Sequence, residues 1–128
     1  MTTVQVTEKN FEKLLQQPGI LLLDFWAAWC GPCRIFGPVF EAAATRYPDV
    51  TFGKVDTEAE AGLAAAFQIR SIPTLMVFRD GVLLASQAGA LPAEALDLLV
   101  HKVKDLDMDA VRRDLDAQQA RRAASGGA

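Results

Sequence analysis

The chain consists of short segments with apolar residues. In some segments these residues have the spacing of a strand, and in others they have the spacing of a helix. Alternation over Thr3–Val6 predicts a short strand, and Ile20–Ala27, apolar at almost every position, predicts a central strand covered on both faces. Segments 50–56, 74–78 and 82–85 also have the character of strands, and an Asp-Gly pair between the last two predicts a hairpin. The pattern therefore predicts a sheet of about five strands.

Helical spacing fills the intervals between these strands. The predicted helices cover residues 8–16, 33–47, 58–67 and 92–104. Pro38 is expected to kink the second helix, and Pro92 is expected to lie in the first turn of the fourth. The order β-α-β-α-β-α-β-β-α predicts an α/β fold, with a mixed sheet and helices on both of its faces.

The segment after Lys104 has a different pattern. Its aspartates come early and its arginines late, which suits a helix dipole, and Asp109 and Arg113 have the spacing of an ion pair. Its apolar stripe is narrow. We predict one domain over residues 1–104 and a helical extension over 105–128, with the last four residues, 125–128, disordered.

Length, charge and composition argue against several classes of function and location. The chain has 128 residues with a net charge of −3, enough sequence for one domain with its own core. A mildly acidic balance argues against nucleic acid or an anionic membrane as partner. No apolar run approaches the roughly 18 residues of a membrane span, and the N-terminal residues lack the order of a signal peptide. A cytoplasmic location is therefore expected.

The two cysteines, Cys30 and Cys33, are the only ones in the chain. They enclose too short a loop to stabilise the fold as a disulfide, and a zinc site needs about four ligands, so we predict chemistry and no metal. Cys30 lies between a strand and a helix, where free N–H groups favour a thiolate, while Gly31 and Pro32 suit a tight turn into the helix. We predict Cys30 as the nucleophile and Cys33 as the resolving thiol.

At these residues the chain resembles the thioredoxin family. The matching stretches are "DFWAAWCGPC", "GKVD", "SIPT" and "AGA", and the resemblance covers about residues 3–104. It implies the thioredoxin fold, with about five strands and four helices, and reduction of protein disulfides without a cofactor. It also implies disulfide-containing protein substrates and a flavoprotein thioredoxin reductase as electron donor. We expect a monomer.

Asp24 interrupts the apolar segment before the cysteines. On residue type alone, Asp24 is equally compatible with a strand residue whose side chain reaches a polar edge of the sheet. The resemblance implies a buried acid beneath Cys33 that accepts its proton, with a raised pKa because burial disfavours the charged form. Lys54 matches a lysine near that acid, and its alternative is an exposed strand position.

The resemblance also assigns a substrate-binding surface. It implies a cis bond between Ile72 and Pro73, in a loop that faces the cysteines and pairs with an extended substrate through the Ile72 backbone. The apolar rim of that surface is predicted to consist of Trp29, Gly31, Pro32, Ile72, Gly89 and Ala90. Trp26, Phe67 and Phe78 are expected to be structural, and His101 to be solvated. Arg34 replaces a lysine common in the family and is expected to alter little.

Two other functions remain to be weighed against disulfide reduction. A disulfide oxidant or isomerase is disfavoured by Gly31-Pro32 between the cysteines. A binding or scaffold subunit that uses the C-terminal extension has no need for the cysteine pair, Asp24 and Pro73 together.

Overall fold

The computed structural model describes residues 3–126, which form one five-stranded sheet and five helices. The strands are β1 (Val4–Gln5), β2 (Ile20–Trp26), β3 (Thr51–Asp56), β4 (Thr74–Arg79) and β5 (Val82–Ala88). The helices are α1 (Phe11–Gln16), α2 (Gly31–Arg46), α3 (Ala61–Ala66), α4 (Ala93–Lys104) and α5 (Met108–Gly126). The predicted element order is confirmed.

The central strand β2 positions the cysteines. The sheet order is β1-β3-β2-β4-β5, and β2 is parallel to β3 and antiparallel to β4. Residues 20–25 of β2 are all buried because helices cover both of its faces. Ile20 and Leu22 pack in the core with α2 and α4, while Leu21, Leu23 and Phe25 pack in the core with α1 and α3. Side chains alternate along a strand, so Asp24 lies on the face of α2.

Two helices begin later than their spacing predicted, because side chains hold the preceding residues in turns. Asn10 Oδ1 accepts a hydrogen bond from Thr7 N–H at 2.8 Å, and α1 begins only at Phe11. Asp56 Oδ1 accepts from the N–H groups of residues 58 and 59, and α3 begins at Ala61. Such local bonds compete with the helical pattern.

The two prolines of the helices have different positions. Pro38 lies inside α2, and the helix continues through it as one element. Pro92 is the N-cap of α4 and precedes its first turn, where we had expected it inside that turn.

The last helix is anchored to the β4–β5 hairpin. Met108, its first residue, is buried, and Arg79 Nη1 donates to the carbonyl of Leu106 at 3.0 Å and to that of Val103 at 2.8 Å. Arg112 lies 3.6 Å from the carboxylate of Asp80. The anchored part of the extension is therefore its beginning, at the end of the sheet opposite the cysteines.

Two expectations about this extension are corrected. Asp109 pairs with Arg112 at 3.2 Å, three residues away, and the predicted pairing with Arg113 is wrong. Residues 125 and 126 belong to α5, where disorder was expected, and residues 127 and 128 lie outside the described part. Among the helices of residues 3–126, none combines the length and the apolarity that a membrane crossing requires.

Candidate active site

The cysteine pair lies where β2 ends and α2 begins. Cys30 and Cys33 form a disulfide with their Cα atoms 5.2 Å apart, and both are nearly buried. Cys30 is the N-cap of α2, and the N–H of Cys33 donates to its Sγ at 3.2 Å. A helix N-terminus with an N–H directed at sulfur stabilises a thiolate, which is the reactive form in disulfide exchange.

The loop before β4 faces this pair. The Ile72–Pro73 bond is cis, as predicted, and the Ile72 carbonyl oxygen lies 3.6 Å from Cys30 Sγ. The side chain of Ile72 packs against the buried cluster of Ala27, Cys30 and Cys33. Gly89 N–H donates to the Pro73 carbonyl at 2.8 Å and has a φ of +94°, a conformation that favours glycine. The loop at Gly89 is thereby fixed to the loop that contains Pro73.

The surface around the disulfide is open and partly apolar. Trp29 is 65% exposed, and Gly31, Pro32 and Ala90 are exposed as well. Ile35 is 70% exposed on the first turns of α2 and was missed in the sequence. It precedes Phe36 and therefore lies off the apolar stripe that faces the core, a signal that could have identified it.

Arg34 is hydrogen-bonded to the segment between β2 and α2. Its Nε and Nη2 donate to the carbonyl of Ala28 at 3.1 and 2.9 Å. A lysine ammonium lacks the planar pair of donors that binds one oxygen in this way. The expectation that this arginine alters little stays a prediction.

Asp24 is 1% exposed in the middle of β2. Its two carboxylate oxygens are buried and have no hydrogen-bond partner among the described residues. Burial raises the pKa of Asp24 to about 7, an effect opposed by the charge of Lys54 and supported by that of Glu41. A carboxyl group in this state exchanges a proton near neutral pH.

Lys54 lies opposite Asp24 in the register of β2 and β3. Its side chain is 24% exposed, so the alternative of an exposed strand lysine is wrong, and its Nζ lies 3.1 Å from Glu41 Oε2. The side chains of Lys54 and Glu41 line a cavity of about 250 Å³ that Cys33 and Trp26 also line. Glu41 was missed in the sequence, although Cys33, Gly37 and Glu41 follow one another at intervals of four residues, the spacing of one row along a helix.

Comparison with known proteins assigns this site to a family. The thioredoxin family model matches residues 2–102. The chain belongs to the thioredoxin family. It is 51% identical over 119 residues to a Streptomyces coelicolor protein named as a thioredoxin 2, covering 93% of this chain and 89% of that protein. It is 41% identical over 103 residues to a Staphylococcus saprophyticus thioredoxin, covering 80% of this chain and 98% of that protein.

A solved structure shows the same fold. It comes from work on the thiol resolving mechanism in yeast mitochondrial 1-Cys peroxiredoxin via glutathione/thioredoxin systems, and the TM-score is 0.71 at 31% identity. The match covers 81% of this chain and 95% of that chain. With the cysteine pair at disulfide distance, family membership identifies the chain as a thiol–disulfide oxidoreductase that reduces protein disulfides.

The remaining residues singled out in the sequence lie as follows. Trp26 is half-buried beside the cysteines, Phe78 is buried and Phe67 packs against the same core, as expected of structural positions. His101 is exposed, but its Nε2 lies 3.4 Å from the hydroxyl of Tyr47. The exposure agrees with the expected solvated position, and both residues lie apart from the thioredoxin site.

Proposed function

We propose that Cys30 is the attacking nucleophile in the reduction of protein disulfides and that Cys33 is the resolving thiol. The observation that carries this assignment is the Cys33 N–H bond to Cys30 Sγ, at 3.2 Å, at the N-terminus of α2. That contact and the helix dipole favour negative charge on Cys30 over Cys33.

The exchange then runs in two steps. The Cys30 thiolate attacks one sulfur of the substrate disulfide, the substrate S–S bond breaks, and the first substrate thiolate leaves. The Cys33 thiolate next attacks Sγ of Cys30 and displaces the second substrate thiolate. Two electrons pass to the substrate, and the Cys30–Cys33 disulfide forms.

Asp24 is proposed to accept the proton of Cys33 in the second step. Support comes from its burial on the α2 face of β2 and from its pKa, which burial raises to about 7, so that the group exchanges a proton near neutral pH. Lys54 is proposed to adjust this acidity by its charge, without contact with substrate.

We assign substrate binding to the surface around the disulfide. The N–H of Ile72 has no hydrogen-bond partner within residues 3–126 and is free to pair with an extended peptide. The predicted rim supplies apolar contact on either side and consists of Trp29, Gly31, Pro32, Ile72, Gly89 and Ala90. Pro73, whose bond to Ile72 is cis, is buried and belongs to the same substrate-binding loop. Backbone pairing reads no side chains, so many proteins with exposed disulfides can serve as substrates.

The test uses trapping with an intact disulfide-containing protein such as insulin. Cys33→Ser should accumulate a mixed disulfide with Cys30, whereas Cys30→Ser should accumulate none. Trapping on Cys33 in the Cys30→Ser protein, at a rate like that on Cys30, would reverse the assignment. Asp24→Asn in the intact pair should slow the second step at pH 7, and an unchanged rate would remove Asp24 from the mechanism.

We further propose a monomer that a flavoprotein thioredoxin reductase reduces in the cytoplasm. A monomer leaves the rim around Trp29 accessible to protein substrates. Both cysteines belong to the reactive pair, so none remains for a structural disulfide, the usage typical of reducing compartments. Sedimentation, reduction by NADPH with purified reductase, and cell fractionation test the three points in turn.

We propose residues 1–104 as the redox domain and 105–128 as an extension of it. Support comes from the family model, which ends at residue 102, and from the Staphylococcus thioredoxin, which matches 103 residues of the chain over 98% of its own length. Deletion of residues 114–128, beyond the anchored start of α5, should leave disulfide reduction unchanged. Loss of activity would show that the extension belongs to the site.

A further inference from the structure

An ion pair lies at the cavity that Cys33 lines. Glu41 of α2 and Lys54 of β3 meet there, with Oε2 and Nζ 3.1 Å apart, and both line the same cavity as Cys33. Glu41 is half-exposed and Lys54 is 24% exposed. The pair therefore lies between the interior, where Asp24 is buried, and the solvent.

The surroundings hold the ammonium group in place. The ring of Trp26 lies below it, with Nζ 5.3 Å from the ring centroid, a distance at which a cation is attracted. Gly37 has no side chain, and a Cβ atom there would lie 3.6 Å from Glu41 Oε2 and 3.7 Å from Lys54 Nζ. These are ordinary van der Waals distances, so the backbone of α2 passes directly beside the two charged groups at Gly37.

The pair is coupled electrostatically to Asp24. Asp24 and Lys54 are register partners on neighbouring strands. The positive charge of Lys54 lowers the pKa of Asp24 and the negative charge of Glu41 raises it, against a larger rise from burial. When Glu41 neutralises Lys54, the lysine stabilises the ionised form of Asp24 less.

We propose that Glu41 is a positioning residue for the resolving step, which holds and neutralises the Lys54 ammonium so that Asp24 takes up and releases its proton near neutral pH. Glu41 acts through Lys54 and touches neither substrate nor sulfur. This inference rests on the proposed role of Asp24 as proton acceptor for Cys33.

Other charged groups around the cavity are already engaged. Arg34 lines it from α2, but its guanidinium donates to the Ala28 carbonyl. Asp56, two residues beyond Lys54, accepts backbone hydrogen bonds in the turn before α3. Among the described residues, the charges that act on Asp24 are thus those of Lys54 on β3 and Glu41 on α2.

The experiment measures the titration of Asp24 by carboxyl-carbon NMR in the oxidised full-length protein. Glu41→Gln keeps an oxygen for Lys54 but removes the charge, and should lower the Asp24 midpoint by about 0.5 pH unit. Glu58→Gln removes an equal charge from an exposed turn position and should leave the midpoint unchanged. An equal shift in both variants, or none in Glu41→Gln, would overturn the proposal.

A second background tests whether Lys54 mediates the effect. In Lys54→Gln protein, Glu41→Gln should shift the Asp24 midpoint by less than half as much as in the parent. An undiminished shift would mean that Glu41 acts by its field alone and would refute positioning.

The pH profile of the resolving step supplies the functional readout. In Glu41→Gln it should move to lower pH by the same amount as the NMR midpoint, and a profile that stays in place would contradict the inference. The proposed function fails differently, because an unchanged resolving rate in Asp24→Asn would reject Asp24 as acceptor whatever the NMR midpoints show.

Discussion

Replacing Asp24 with asparagine should stabilise the oxidised protein, and the gain should depend on pH. Burial raises the pKa of Asp24 from 3.8 to about 7. A difference of about 3 units between the folded and unfolded chains corresponds to about 4 kcal/mol at 1.36 kcal/mol per unit. Asp24 is 1% exposed, so solvent screening reduces this figure little.

The sign follows from proton uptake. Between pH 3.8 and about 7 the folded protein holds the Asp24 proton while the unfolded chain releases it, so the free energy of unfolding falls as pH rises through that window. Below the window both states are protonated and the penalty is absent, whereas above it the penalty is complete. Asparagine does not titrate and carries no such penalty.

The assay is guanidinium chloride unfolding of oxidised wild-type and Asp24→Asn protein from pH 4 to pH 8. The stability of the variant relative to wild type should rise by about 3–4 kcal/mol across this range. Asp116→Asn is the matched control, because Asp116 is exposed on α5, and its difference from wild type should stay flat. A flat difference for Asp24→Asn would refute the argument that burial of its charge destabilises the fold.

Three further predictions follow from particular contacts. Arg34→Lys removes the paired donors to Ala28 and should lower the free energy of unfolding by about 1 kcal/mol, with faster amide exchange in that segment; an unchanged exchange rate would show that the bonds contribute nothing. Ending the chain at Lys104 removes the buried Met108 and should destabilise the fold by about 2 kcal/mol relative to ending it at residue 113, and equal melting of the two would contradict this. Trp29→Ala should lower kcat/KM for insulin about tenfold without changing stability, since Trp29 is 65% exposed; equal kcat/KM would exclude it from the rim.

The sequence predicted the parts of the fold that depend on neighbouring residues. The run 20–27 predicted the buried central strand because a strand covered on both faces is apolar at almost every position. Cys30 at a strand-to-helix junction predicted its place at a helix N-terminus. The missed starts of α1 and α3 depend on Asn10 and Asp56, whose side chains bind the backbone in ways that apolar spacing does not record.

The contacts that were missed either join residues distant in the chain or depend on the particular geometry of one side chain. Glu41 meets Lys54 only because α2 packs over β3, and spacing along α2 gives no partner. His101 meets Tyr47 across 54 residues. The Arg34 bond depends on the planar guanidinium, whereas the prediction considered only its charge. The buried Asp24 came from the family resemblance, since an acid in an apolar run also occurs at polar edges.

The measurement that tests disulfide reduction most directly is the equilibrium redox potential of the Cys30–Cys33 pair, by thiol trapping in defined dithiol buffers. The account predicts a potential well below that of the cytosolic glutathione pool, about −240 mV, so that the dithiol form reduces protein disulfides. A potential well above that value would make the protein an oxidant or isomerase and contradict the account.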